Sequence, residues 1–298
     1  MGSLDGRVAI VTGAGRGIGA SVAKLFALEG ASVVVNDVGA SLSGLESDGS
    51  PGEELVREIQ ASGGKALANG ADVSDHEAVR EMVASAVDTF GKLDILVNVA
   101  GILRDRMIFN MTEAEWDAVI RVHLKGHFNT IQSASAYWRQ LGDPNAQHRV
   151  INYTSRAGLH GAPGQPNYSA AKMGIVGLTY SCAVALKRYG VTTNAVSPAA
   201  ATRMTDTARK SGVDGLGQDE LSPDNIAPLA AWLASEQSGW CNGHVLHARG
   251  LEINLYSDPK PIATVRAPGK AWNLGTLGKE LEATFRPITD AAPANPFV

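Results

Sequence analysis

The chain has 298 residues, 44% hydrophobic and 19% charged, with a formal net charge of −4. This suits one large α/β domain or two small ones, and it excludes a basic surface for nucleic acid or anionic membrane. Two distant cysteines, Cys182 and Cys241, lack histidine neighbours at metal spacing, which argues against a disulfide framework or a metal site and fits a reducing, cytoplasmic setting.

Arg7 to Thr12, RVAIVT, reads as a buried strand and leads into the glycine-rich turn Gly13-Ala14-Gly15-Arg16-Gly17-Ile18-Gly19. SVAKLFALEG then has helical spacing, and ASVVVN is a second strand, completing a parallel crossover unit. The N-terminus enters its strand without a signal-peptide pattern, and no run approaches the roughly 18 apolar residues of a membrane span. A turn this tight needs glycine, and it lets phosphates approach the N–H groups at a helix start, where the helix dipole favours an anion. Asp37 closes the second strand. A carboxylate there accepts hydrogen bonds from ribose hydroxyls and repels a 2′-phosphate, so NAD is expected over NADP. Arg16 pulls the other way, as a cation able to pair with that phosphate.

Residues 39–52 form a polar Gly/Ser-rich loop, either a cover for the adenosine end or an insertion without a role. A helix, a strand ending at Asp72-Val73, a further helix and the strand LDILVN follow. Asp72 reads either as a contact to the adenine amino group or as a turn residue. Asn98-Val99-Ala100-Gly101 ends the LDILVN strand. Thr112 and Glu115 make a capping box for a long helix to about Gln140. HRVINYTS, the helix from Pro166 and VTTNAVSP continue the alternation. The expected fold is α/β: a Rossmann-type doubly wound parallel sheet of about seven strands, helices on both faces. Ligands in such sheets bind beyond the strand carboxyl ends. The glycine turn, Asp37, Asp72, Asn98, Ser155 and Pro198 all fall there.

Three groups able to handle protons lie within SRAGLHGAPGQPNYSAAK. Ser155 ends a strand, and Tyr168 and Lys172 share one helix face at i and i+4. A free tyrosine has a pKa near 10, too high for a base near neutrality. A nearby ammonium favours phenolate, and a serine can donate to a developing alkoxide.

With TGAGRGIG at 12–19, Asp37, DV at 72–73, NVAG at 98–101, Ser155 and YSAAK at 168–172, the chain resembles the short-chain dehydrogenase/reductase family over residues 5–250. The resemblance implies reversible hydride transfer between a nicotinamide cofactor and an alcohol or carbonyl. Tyr168 would be the general acid/base, Ser155 would hold the substrate oxygen, and Lys172 would bind the nicotinamide ribose and lower the tyrosine pKa. The family's asparagine in the long helix is replaced by His123, which either relays a proton through its ring or keeps the helix geometry by its backbone. Thr202 best matches the threonine that contacts the carboxamide. RVHLKG, VVVNDVG, the 39–52 loop and TRMT also resemble one subgroup, the dehydrogenase part of multifunctional enzyme type 2 and its bacterial relatives. That implies a 3-hydroxyacyl-CoA or hydroxysteroid substrate and a homodimer or homotetramer. A second reading is a dinucleotide sensor on the same fold without turnover.

On the substrate side, residues 200–220 read as a lid, and Leu103, Met107, Ile108, Leu159 and Met204 as candidate pocket lining. Residues 1–257 are expected to form the catalytic domain. Residues 258–298, with six prolines and a short helix TLGKELEATF, form an extension packing on that domain or a neighbouring subunit.

Overall fold

Alternation along the strands sorts the side chains into two layers. In β1 (Val8–Thr12), β2 (Ser32–Asn36), β4 (Ile95–Asn98) and β5 (His148–Tyr153), the odd-numbered Ala9, Val11, Val33, Val35, Ile95, Val97, Ile151 and Tyr153 enter one core. They meet Val22 and Phe26 of α1 (Gly17–Leu28), Leu55 and Ile59 of α2 (Pro51–Ala61), and Leu229 and Leu233 of a later helix. The even-numbered Ile10, Val34, Leu96 and Val150 enter the other core. There they meet Val79 and Met82 of α3 (His76–Phe90) and Ile131 and Trp138 of α5 (Gly126–Leu141).

The structure is a computed structural model that describes residues 2–39, 51–200, 220–267, 269–291 and 295. The loop at 40–50 and the segment 201–219, with Thr202, Met204 and the expected lid, lie outside the described residues.

With β3 (Lys65–Asn69), β6 (Val191–Ala199), β7 (Val245–Arg249) and β8 (Glu252–Leu255), the sheet has eight strands in the order β3-β2-β1-β4-β5-β6-β7-β8. All pairs are parallel except β7 with β8. The antiparallel edge strand β8 goes beyond the expected parallel set. It follows β7 through a tight turn at Gly250 (φ 55°), and its pairing with β7 is local in sequence. The strand order reverses at β1, with β2 on one side and β4 on the other, which opens a crevice above their carboxyl ends.

The helix after Thr112 carries its capping box but is not continuous. α4 (Glu113–Ile120) passes through a π turn at Arg121–Lys125 into α5. The expected loop after Ser155 contains a short helix, α6 (Arg156–His160), whose first turn is capped by the Ser155 side chain. α7 (Pro166–Leu186) starts with proline in its first turn. With its terminal turn, it is apolar and long enough by composition to cross a membrane, which the residue count did not anticipate. It packs one face against β5 and β6 and leaves Met173 and Val184 exposed. α8 (Ala227–Ala234) completes the layer of α1 and α2.

The chain divides into a unit Met1–Tyr256 and a unit Ser257–Val298. The second holds α9 (Leu274–Asp290), longer than expected, with Pro287 inside it and Leu274, Leu277, Leu281, Phe285 and Ile288 at helical spacing.

Four histidines of the first unit are buried: His123 in the π turn, His127 in α5, His148 stacked on Trp138 at 4.9 Å, and His247 in β7. Burial is the first cause holding His148 down at about 4, His127 at about 3 and His123 well below 6.5. Unfolded histidine titrates near 6.5. Below that pH the unfolded chain therefore binds protons that the folded chain refuses, and stability falls as pH falls. At about pH 5.5 each such histidine is expected to cost about 1 kcal/mol. Urea midpoints should drop between about pH 7.5 and 5.5, and His148→Gln should shrink the drop. A pH-independent midpoint across that window would refute this.

Candidate active site

The last residues of four strands and the next-to-last of β5 stand in one row across the sheet, paired Asn69–Asn36–Thr12–Asn98–Asn152. All are polar residues that follow the apolar middle of their strands, and they bond sideways. Asn36 Nδ2 donates to Asn69 Oδ1 at 3.0 Å, Asn98 Nδ2 to Asn152 Oδ1 at 3.0 Å, and Asn152 Nδ2 to Thr179 Oγ1 at 2.9 Å. Thr130 Oγ1 of α5 donates to Asn98 Oδ1 at 2.8 Å. The Thr12 hydroxyl accepts the Val99 and Ala100 N–H groups at 3.1 and 3.3 Å. Asn152, Thr130 and Thr179 escape a reading by motif. Their signal is a polar residue inside an apolar run, which needs a partner once buried.

Above the row lies the glycine turn. Gly13 has φ 62°, and a Cβ there would meet the Ala100 backbone at 2.7 Å, so this position needs glycine on both counts. α1 begins at Gly17, followed by Ile18 and Gly19. Its N-cap residue, Arg16, gives no side-chain cap, and its first turn holds no acidic residue. The N–H groups and dipole of that end suit an anion. Asp37 sits beside the turn. Its Oδ2 accepts the Gly15 N–H at 2.8 Å and its Oδ1 the Gly39 N–H at 2.7 Å, which aims the carboxylate and leaves each oxygen a further lone pair. These groups fit a dinucleotide, with donors for its phosphates and a carboxylate for its ribose.

Asp72 is exposed and its Oδ1 accepts the Ser74 N–H at 2.8 Å, a turn-forming bond. Val73 is buried and its carbonyl accepts from Asn129 Nδ2. Pro198 lies in β6, paired with Ala248.

Ser155, Tyr168 and Lys172 come together. The Ser155 side chain acts on the Tyr168 hydroxyl and favours its ionised form. Lys172 is buried, and its Nζ donates to the Tyr153 carbonyl at 2.7 Å. Its own carbonyl accepts from Thr154 Oγ1 at 2.7 Å, so two successive residues at the end of β5 grip this turn of α7. Lys172 Nζ lies 5.5 Å from the centre of the Tyr168 ring. Burial pushes the phenol up to about 12 and outweighs the Ser155 effect that lowers it, while the Asp105 charge adds to the rise. Burial also pulls Lys172 down to about 7. In the protein alone, therefore, burial dominates the tyrosine, and no lowering by the lysine offsets it.

His123 packs edge-on against Tyr168, ring centres 5.2 Å apart. Its Nε2 faces both backbone groups of Ile102, 3.1 Å from N and 2.8 Å from O. One ring nitrogen donates or accepts but cannot do both, whereas an asparagine amide there would satisfy both. A Cβ on Gly101 would clash with the His123 ring, so the glycine of NVAG makes room for it. Burial first, then the Lys172 charge, keeps His123 neutral. His127, four residues on, shares a 2.7 Å hydrogen bond between its Nδ1 and the His123 carbonyl. Among the described residues, no group of three or more His, Cys, Asp or Glu is placed to hold a metal ion.

A family model described as short chain dehydrogenase matches residues 7–213. The hydroxyacyl-CoA dehydrogenase ChsB1 of Mycobacterium tuberculosis is 43% identical over 293 residues, 95% of this chain and 88% of that protein. The peroxisomal multifunctional enzyme type 2 of Mus musculus is 40% identical over 233 residues, 78% of this chain and 30% of that protein. Among solved structures, a short chain dehydrogenase from Mycobacterium avium matches with a TM-score of 0.84 at 43% identity, over 98% of each chain. The crevice at the strand-order reversal, the Ser155–Tyr168–Lys172 cluster beside it and these relatives agree: the chain belongs to the short-chain dehydrogenase/reductase family and is an oxidoreductase.

Proposed function

We propose that this protein is an NAD-dependent dehydrogenase that interconverts a secondary alcohol and a ketone on a lipid-like substrate, a 3-hydroxyacyl-CoA thioester or a hydroxysteroid. The observation that carries the reading is the buried Lys172, anchored on the Tyr153 carbonyl and 5.5 Å from the centre of the Tyr168 ring, with Ser155 acting on the same phenol.

In the oxidative direction Ser155 holds the substrate oxygen and Tyr168 takes its proton. Oxidised NAD held in the crevice would supply the hydride acceptor and a positive charge that favours the phenolate. A phenol near 12 needs that help, since each pKa unit is about 1.4 kcal/mol. Lys172, near 7, gains or loses a proton easily at neutral pH and is suited to pass one onward. His123 has its Nε2 against Ile102 and a strongly lowered pKa. Its proposed part is to hold the π turn against Tyr168 as a neutral ring.

Asp37 supports NAD: its aimed carboxylate would oppose a 2′-phosphate. The name of the M. tuberculosis relative supports an acyl-CoA substrate. Exposed Met107, Ile108 and Phe109, in the segment joined to the loop before Tyr168 by the Arg106 N–H on the Gly164 carbonyl, offer apolar contact for an acyl chain or steroid. Exposed Phe128 on α5 and Met173 and Val184 on α7 support assembly as a homodimer or homotetramer. Two unpaired cysteines, Cys182 and Cys241, are compatible with the cytoplasm.

Tyr168→Phe should lower kcat on the order of 10³-fold while NAD affinity, followed by fluorescence, stays within about threefold. Near-normal turnover would sink the assignment. Asp37→Ala should raise the NADP-to-NAD ratio of kcat/KM at least about tenfold, a change of about 1.4 kcal/mol. An unchanged ratio removes Asp37 from coenzyme choice. A screen of 3-hydroxyacyl-CoAs, hydroxysteroids and short alcohols with NAD should give NADH from one of the two lipid classes. Tight NAD binding with no NADH from any of them would favour the sensor reading instead.

A further inference from the structure

The residue before the tyrosine, Asn167, is fully buried, and its amide ties together three separate backbone segments. Nδ2 donates to the Arg104 carbonyl at 3.0 Å and to the Glu115 carbonyl at 3.1 Å, while Oδ1 accepts the Tyr168 N–H at 2.7 Å. The Tyr168 N–H lies in the first turn of α7, where helix donors lack intrahelical partners, and the N-cap residue Gln165 supplies no side-chain cap. Asn167 thus satisfies the tyrosine's own backbone while gripping the segment at 102–112 and the first turn of α4. An amide alone among side chains of this size brings two donors and an acceptor.

The same two segments are joined at the surface. The Arg106 N–H donates to the Gly164 carbonyl at 2.7 Å, and Gln165 Nε2 donates to Asp105 Oδ2 at 2.9 Å. The Arg106 guanidinium bonds Glu115 Oε1 at 2.9 Å. These exposed contacts contribute little singly. The buried amide is different, because losing it strands two part-buried carbonyls and one N–H. The position of the phenol hydroxyl relative to Ser155 therefore depends on how the start of α7 is held, and Asn167 is its buried hold.

We propose that Asn167 is a positioning residue for Tyr168, which locks the first turn of the catalytic helix to the 102–112 segment and so keeps the phenol in line with Ser155. The inference rests on the reading of Tyr168 as the acid–base group. The Asp105 charge acting on Tyr168 agrees with this segment lying close to the phenol.

The test uses the full chain with Asn167→Asp, Asn167→Ala, Tyr168→Phe and Asn242→Asp. Asn242 is the control: its Nδ2 donates to the Ala183 carbonyl at 2.9 Å and its Oδ1 accepts the Thr193 N–H at 2.8 Å, the same kind of brace away from the site. Asn167→Asp keeps the shape and the acceptor, loses both donors and brings a negative charge against the Tyr168 backbone. Its kcat for alcohol oxidation should fall about 10- to 100-fold, the scale of a 1 Å misplacement, with NAD affinity within about threefold of wild type. The rising limb of its pH–rate profile should move to higher pH, because a neighbouring negative charge raises a phenol pKa. Asn167→Ala should lose kcat to a similar degree without added charge, and it decides the matter if the aspartate variant does not fold. Asn242→Asp should lower the melting temperature but keep wild-type kcat and pH profile. Wild-type kcat in a folded Asn167 variant overturns the proposal while leaving Tyr168 in place. So does an equal kinetic loss in Asn242→Asp, which would mark general destabilisation. Turnover retained by Tyr168→Phe instead removes the acid–base reading, and this inference with it.

Discussion

The row of polar residues that ends the strands is the constraint on which the rest of the structure depends. A parallel sheet covered on both faces is apolar along its length, and its strands leave the core where side chains become polar. Here the change comes in register across β3, β2, β1, β4 and β5, at Asn69, Asn36, Thr12, Asn98 and Asn152. Buried amides and hydroxyls at that level must find partners, and they find one another and the helices: Thr130 for Asn98, Thr179 for Asn152. The network sets the height at which each strand gives way to its loop. The glycine turn, Asp37, the NVAG segment and Ser155 all emerge just beyond it, around the crevice where the strand order reverses.

Electrostatics at the site follow from the same burial. Tyr168 and Lys172 are shifted toward their neutral forms because the charged form of each is poorly solvated where it sits. The two pKa values are thereby drawn toward opposite sides of their usual order, the phenol near 12 and the ammonium near 7. His123 and His127 beneath them stay neutral for the same reason, reinforced by Lys172. A site of this kind has little charge of its own, and a cation delivered beside the phenol acts there with little screening.

The π turn shows how a substitution is absorbed. The wider turn of the α4–α5 helix sits against Tyr168. It carries His123 inward to Ile102 and Tyr168, where the ring occupies space left by Gly101. His127 then bonds the carbonyl that the turn presents. An imidazole is larger than the amide the family resemblance leads one to expect, and it bonds one Ile102 group at a time. Neighbouring residues, not His123 alone, carry the adjustment.

Much of the chain's organisation was legible in the residues because it is local. Apolar runs of β-branched residues, the glycine turn, the Thr112–Glu115 capping box and the i, i+4 spacing of Tyr168 and Lys172 each depend on neighbours within a few positions. The alternation of strand and helix, with polar residues at strand ends, implied the doubly wound sheet and the level of its crevice. The π turn, helix α6 and strand β8 were not legible. Each arises from packing or pairing that competes with the local pattern: His123 drawn to Ile102, Ser155 capping a turn rich in small residues, and a short edge segment paired back on β7. Nor could spacing reveal that Asn167 reaches Arg104 and Glu115, or that Lys172 is held by Tyr153. The sequence by itself determined which groups stand at the strand ends and which chemistry they carry. Only the tertiary structure decided their partners and their protonation, because both depend on contacts and burial supplied by residues far away in the chain.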